Sequence, residues 1–208
     1  MKEYLIPTAP GKAEFVEKRS RFIGRVWPVD TETEALALLK AMREQHYDAN
    51  HNVYAYIIQA GNLMRYSDAG EPQGTAGQPV LNVFVKEEIE NVLCVVTRYF
   101  GGTLLGAGGL VRAYAQAAKL ALDAAGISVV REWRQVRLRC AYAQYERLHK
   151  IAQEQGAVVQ ASDFAADVIL ELLVSEPEAD GFCAHMLDVS AGTAVLERLE
   201  VQEIPVPM

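Results

Sequence analysis

The segment Arg98-Tyr-Phe-Gly-Gly-Thr-Leu-Leu-Gly-Ala-Gly-Gly109 has the residue types and spacing of an anion site. An apolar strand pattern, Val92–Thr97, runs into it and a helical pattern runs out of it. Gly101, Gly102, Gly106, Gly108 and Gly109 would therefore present free backbone N–H groups at the positive end of a helix dipole, which suits a phosphate. Arg98 enters the turn and Arg112 leaves it in the first turn of the helix. A cation there is disfavoured by roughly 0.3–1 kcal/mol, and an anionic partner would account for it. The other reading is equally open: the glycines let strand and helix pack closely, and Arg112 pairs with a nearby carboxylate. Neither familiar nucleotide motif fits. A Walker loop from Gly101 would need Lys and Ser/Thr after Gly106, where Ala107 and Gly108 stand, and a dinucleotide fingerprint from Gly106 would place Val111 at its third glycine.

A second polar segment is Ser67-Asp-Ala-Gly-Glu-Pro-Gln-Gly-Thr-Ala-Gly-Gln-Pro79. Ser67, Asp68, Glu71 and Thr75 are side chains that bind metals or act as acid and base, and Thr75 joins the candidate anion-binding set. Turn chemistry explains Asp68, Gly70 and Pro72 with no function at all. His46 and His51, five apart, lack the Glu of a zinc-protease helix, and no GxSxG occurs. His149 and His185 have no ligand partners nearby in sequence, and none of the cysteines has an evident His partner. Basic residues cluster at Lys18, Arg19, Arg21 and Arg25 and again among the arginines of 131–150, with interleaved aromatics (Phe15, Phe22, Trp27, Trp133, Tyr142) that suit RNA contact. A solvated sheet face would look the same.

These residues need elements to hold them. Phe22–Val29 reads as a strand; Thr31-Glu-Thr-Glu34 is a capping box, and Ala35, Leu38, Leu39 and Met42 recur at helical spacing over 31–45. Val53–Ile58 and Val92–Thr97 read as buried strands, 66–79 as a loop, and 80–88 is undecided between helix and strand. A helix of about 16 residues follows Gly109, with Gly126 placed to end it. From Arg134 the pattern changes. Strand 136–142, a helix ending at Gly156, a hairpin of 157–160 and 168–174 across Ser162-Asp163, a helix from Pro177 to Gly192 and strand 193–199 give β-α-β-β-α-β, the ferredoxin-like split. The expectation is a two-domain α/β (α+β) chain, cut near 130–134 into domains 1–130 and 134–208.

The 208 residues suffice for that and carry a net charge of −7, which argues against indiscriminate coating of nucleic acid. The charge is uneven: 131–150 holds 6 basic and 2 acidic side chains, 151–208 holds 1 and 11. No apolar run approaches the ~20 residues of a membrane span, the first residues lack a secretory h-region, and Cys94, Cys140 and Cys183 make no CxxC pair. A cytoplasmic protein without membrane contact, cofactor or metal is the expectation.

Three stretches carry a family resemblance: Glu17–Ile23, Ser67–Pro79, and Val96-Thr-Arg-Tyr-Phe-Gly-Gly-Thr-Leu-Leu-Gly-Ala-Gly-Gly-Leu-Val-Arg-Ala-Tyr114. Together they resemble the bacterial, YigZ-type branch of the IMPACT family, over the whole chain. The resemblance implies an N-terminal domain like domain 2 of ribosomal protein S5 and a ferredoxin-like C-terminal domain similar to the last domain of elongation factor G. Eukaryotic IMPACT restrains a kinase that shuts down translation initiation, using an extra N-terminal domain that these 208 residues do not include. For bacterial members the resemblance implies a translation-linked or nucleic-acid-binding role without an assigned reaction. Ala69 stands where many relatives have a second Asp, which weakens a paired-acid metal site. The leading expectation is a non-enzymatic, translation-linked regulator or accessory factor. It would bind RNA, a ribosome-associated component or a nucleotide phosphate through Arg98, the Gly101–Gly109 turn and Arg112, assisted by Lys18, Arg19 and Arg21. The rivals are a small enzyme acting on a phosphorylated metabolite, by fold analogy with small-molecule kinases, and a module that binds a protein partner through its acidic C-terminal domain.

Overall fold

The computed structural model describes residues 3–207. They form two compact units, residues 4–129 with 205–207 and residue 3 with 130–204. The first unit runs β1 (Tyr4–Pro7), β2 (Gly11–Glu17), β3 (Ser20–Pro28), α1 (Glu32–Gln45), β4 (His51–Ile58), β5 (Leu63–Ser67), α2 (Gly77–Lys86), β6 (Val92–Tyr99) and α3 (Ala107–Ala125). Its antiparallel sheet has the order β2-β3-β6-β4-β5.

The central strand β6 is apolar on both faces because both faces are covered. Val92, Cys94 and Val96 join the core under α2 and α3, whereas Leu93 and Val95 pack with Ala35 and Leu39 of α1. Helix α1 starts where the capping box places it: Thr31 Oγ1 accepts from the Glu34 N–H at 3.2 Å and the Glu34 carboxylate accepts from the Thr31 N–H at 3.3 Å. Helix α3 presents Ala113, Ala117, Ala118 and Ala121 to the sheet, and the fit is tight. A Cβ on Gly24 would lie 2.3 Å from the Ala117 carbonyl oxygen, and one on Gly11 2.3 Å from that of Ala121.

The second unit takes β7 (Ile127–Cys140) from residue 130 on, α4 (Tyr142–Glu154), β8 (Val158–Phe164), β9 (Val168–Ser175), a single 3-10 turn at Glu176–Glu178, α5 (Ala179–Val189) and β10 (Val195–Pro207) up to residue 204. Its strand order, β10-β7-β9-β8, is that of the ferredoxin-like split. Val136, Leu138, Leu170 and Leu172 meet Leu148, Ala152, Phe182 and Met186 in its core.

Several boundaries differ from the sequence reading. Of the undecided segment 80–88, residues 80–86 belong to helix α2, which begins at Gly77, and 87–88 form the turn after it. Edge strand β5 is half exposed (Met64, Tyr66) and so lacks the apolar run that betrays a buried strand. Ser162 and Asp163 are not a turn; they pair with Leu170 and Ile169, and the chain reverses at 165–167 instead. Helix α3 begins at Ala107, because Gly108 and Gly109 take helical geometry rather than prolonging the loop. Strand β7 runs through 130–134, where the sequence reading places its cut, and the two compact units divide at 129/130.

Two substitutions test this account. Gly24→Ala overpacks the α3 contact and should destabilise by about 1–3 kcal/mol in urea unfolding. Thr31→Ala, which removes only the cap, should cost about 1 kcal/mol. A neutral Gly24→Ala would show that α3 can lift off the sheet freely.

Candidate functional site

Where β6 ends, the register sets Arg98 directly between Phe22 of β3 and His51 of β4. Its side chain points to the face covered by α3, out of water (6% exposed). A guanidinium there requires an anion, and Glu71 supplies it. Arg98 Nη1 donates to Glu71 Oε1 at 2.6 Å, and the Tyr114 hydroxyl from α3 donates to the same oxygen at 2.6 Å. Arg98 Nη2 donates to Ser20 Oγ at 3.2 Å, and Ser20 Oγ also accepts from the Gly101 N–H. The rings of Phe22 and Phe100 each lie 5.4 Å from the guanidinium carbon. His51 Nε2 stands 3.7 Å from Glu71 Oε1. Burial, and then the hydrogen bond to Glu71, push the Tyr114 phenol above its ordinary range, so it remains a donor.

Glu71 is presented by a loop that Asp68 organises. Asp68 Oδ1 accepts from the N–H groups of Ala76 (3.0 Å) and Gly77 (2.8 Å), and Oδ2 from that of Gly74 (2.8 Å). Asp68 thus caps α2 from eight residues upstream, where Ala76 offers no side-chain cap. Burial raises its pKa, but the three N–H bonds outweigh that and leave it below the ordinary carboxylate value. Gly77 permits the contact, since a Cβ would lie 2.7 Å from the Ser67 carbonyl.

The first turn of α3 separates two recesses. One, of about 420 Å³, is walled by Pro72, Phe100, Leu104, Leu105 and Leu110, with Asn50, His51, Glu71 and Arg98 among its lining. The other, of about 180 Å³, is polar and lined by Glu17, Lys18, Leu105, Gly109, Arg112 and Gln116. The two-residue hairpin between Glu17 and Ser20 brings Lys18 there, with Lys18 (φ 45) and Arg19 (φ 67) both left-handed. Such turns favour Asn-Gly. Gly101 is required because a Cβ would lie 2.0 Å from the Arg19 carbonyl, whereas Gly102 and Gly106 have positive φ. Gly108 has neither reason: a Cβ there would meet only the Arg112 guanidinium, at 3.6 Å.

Residues 18–122 match the Impact N-terminal domain, and 138–193 match a domain of unknown function, DUF1949. The chain is 34% identical to the IMPACT family member YvyE of Bacillus subtilis over 95% of this chain and 92% of that protein. It belongs to the IMPACT family. YigZ, the IMPACT family member of Escherichia coli, is 32% identical over 96% of this chain and all of its own length. Protein IMPACT of Rattus norvegicus is 32% identical over half of this chain and 34% of its own. The crystal structure of a hypothetical protein shares the fold with a TM-score of 0.61 at 32% identity, over 96% of this chain and 98% of that one.

In this IMPACT-family chain the residues singled out from sequence fall into separate places. Lys18, Gly109 and Arg112 line the polar recess, and Arg19 packs its backbone on Gly101 at the same end. Arg112 makes no ion pair among the described residues, and Glu17 lines the same recess. Arg98 lies in the other recess with its charge met by Glu71. Arg21 pairs with Glu14 at 2.7 Å on the opposite face of the sheet, and Thr75 is buried, donating to the Pro72 carbonyl at 2.6 Å. Ser20, Phe100 and Tyr114 went unnoticed in sequence, since only strand register and helix packing bring them to Glu71. Among the described residues no group of three or more His, Cys, Asp or Glu could hold a metal ion, and no helix is long and apolar enough to cross a membrane.

Glu71→Leu leaves Arg98 buried without an anion and should cost about 3–5 kcal/mol, read by urea unfolding. Asp68 tests the loop through pH. Its depressed pKa contributes stability that is complete above the ordinary value of 3.8 and disappears as pH falls through the folded-state value. Asp68→Asn should therefore lower stability near neutral pH and flatten its decline below pH 4.

Proposed function

We propose that this IMPACT-family chain is an accessory factor of the translation apparatus that contacts RNA phosphate through Lys18, Arg19, Arg112 and the first turn of α3. One observation carries the reading: Lys18, Arg19 and Arg112, which have no ion pair among the described residues, share one end of the unit with a helix N-terminus, beside a single acid, Glu17. Each sits where folding alone would place another residue. Lys18 and Arg19 occupy left-handed positions, and Arg112 opposes the helix dipole. Strain and misplaced charge of this kind are kept where a ligand repays them. The anion would meet backbone N–H groups beside Gly108, whose missing Cβ leaves them open to approach. Phosphate contacts position RNA without reading sequence. The likeness to Protein IMPACT supports placing the partner in translation, and the net charge of −7 supports one local contact over general coating.

The test is co-sedimentation with ribosomes through a sucrose cushion at ~50 and ~200 mM salt. The unmodified chain should pellet at low salt and be released at high salt. Arg112→Ala should reduce the slope of log affinity against log salt by about one, and K18N/R19G by about two. K18N/R19G should also fold at least as stably, since it installs the preferred turn residues. Unchanged affinity and slope in both variants would overturn the assignment.

A further inference from the structure

The two recesses beside α3 have opposite chemistry, and they adjoin. Gly106, Ala107 and Leu110 border the larger, Gly109, Arg112 and Ala113 the smaller, and Leu105 belongs to both. The smaller suits a phosphate. The larger does not, because its walls are mainly apolar and its one arginine, Arg98, is already paired with Glu71, whereas the smaller sets two cations, Lys18 and Arg112, against one acid, Glu17. Its volume, about 420 Å³, falls within the range of small-molecule sites.

Glu71 sets what the larger recess accepts. Its side chain is 3% exposed, and Oε1 already takes hydrogen bonds from Arg98 and Tyr114. No hydrogen bond to Oε2 is found among the described residues, and Glu71 is one of the residues lining the recess. An almost buried acceptor with an open valence calls for an N–H donor on the ligand. His51 Nδ1 is occupied by the Ala69 carbonyl at 2.9 Å, and the Asn50 carbonyl oxygen by the Phe100 N–H at 2.7 Å. Phe100 is half exposed with the Arg98 guanidinium over its ring, leaving an aromatic face for stacking. Leu104, 81% exposed, stands at the rim.

A flat, largely apolar group with an N–H donor on its edge, one helix turn from a phosphate, is a nucleotide. Resting on the RNA reading above, we infer that the larger recess holds an unstacked nucleobase bearing an exocyclic amino group, its phosphate lying against Lys18 and Arg112. RNA-binding proteins commonly splay bases onto aromatic rings and read their edges in this way. Adenine, cytosine and guanine present an amino group to Glu71. Uracil presents an N–H flanked by two carbonyl oxygens, whose lone pairs would oppose the carboxylate. The recess therefore selects against uridine. The same chemistry belongs to a free nucleoside monophosphate, and the experiment separates the two sources.

Labelled single-stranded 12-mers of A, C and U would be titrated with the full chain by fluorescence anisotropy at ~50 to ~200 mM salt, beside thermal shifts with AMP, CMP and UMP. Oligo(A) and oligo(C) should bind roughly ten-fold more tightly than oligo(U). Phe100→Ala should reduce both to the oligo(U) level with the salt slope unchanged, and Leu104→Ala, which cannot disturb the fold from so exposed a position, should narrow the preference. Equal binding of all three strands, or a preference that survives Phe100→Ala, overturns the base pocket and leaves the RNA reading standing. No strand bound at any salt, with AMP and CMP but not UMP stabilising the chain, upholds the pocket for a free nucleotide and overturns the RNA reading. Silence in both assays overturns both.

Discussion

An arginine and a glutamate placed out of water beside each other govern the architecture of this IMPACT-family unit. Either charge alone in that interior would cost several kcal/mol; together with Tyr114 and Ser20 the two charges are paired, with only the Arg98 Nε–H of this group left without a partner. The pair adds little net stability compared with well-packed apolar residues. Its effect is to penalise every arrangement that separates the partners. Arg98 ends the central strand, Glu71 rides a loop capping α2, Tyr114 sits on α3 and Ser20 begins β3, so one carboxylate ties four elements to one register.

The consequences reach the surface. Glu71 is held through Oε1 by both Arg98 and Tyr114, which fixes the carboxylate at the edge of the larger recess. Because α3 is pressed onto the sheet at Gly11 and Gly24, its first turn is fixed in space, with an apolar recess on one side and a cationic one on the other. The ring of Phe100 is held between the Arg98 guanidinium and the recess. Charge, shape and helix dipole are thus prepared before any ligand arrives, which lowers the entropy lost on binding.

The Lys18–Arg19 turn shows the opposite tendency. A hairpin this tight would be more stable with Asn-Gly, yet it carries two cations in left-handed geometry, with no ion pair among the described residues. The helix beside it keeps a glycine, Gly108, that neither φ nor packing demands, and an arginine at its positive end. Three locally unfavourable choices converge at one end of one element, where function is the economical explanation.

Much of this was legible in the residues. The capping box set the start of α1, alternation revealed the β-α-β-β-α-β order, and the glycine-rich stretch marked the strand-to-helix turn, since each depends on neighbours a few positions apart. The hairpin turn at 165–167, edge strand β5 and the start of α3 were not, because pairing and packing decide them over weak local preferences. The site divides along the same line. Arg98 and Arg112 stand out equally in the sequence, but strand register buries one against Glu71, 27 residues away, while helix phase leaves the other exposed. Local spacing determined which residue types could meet an anion. The tertiary fold, which alone sets burial and therefore the electrostatic cost of each charge, decided which cation is buried against a carboxylate and which stays exposed.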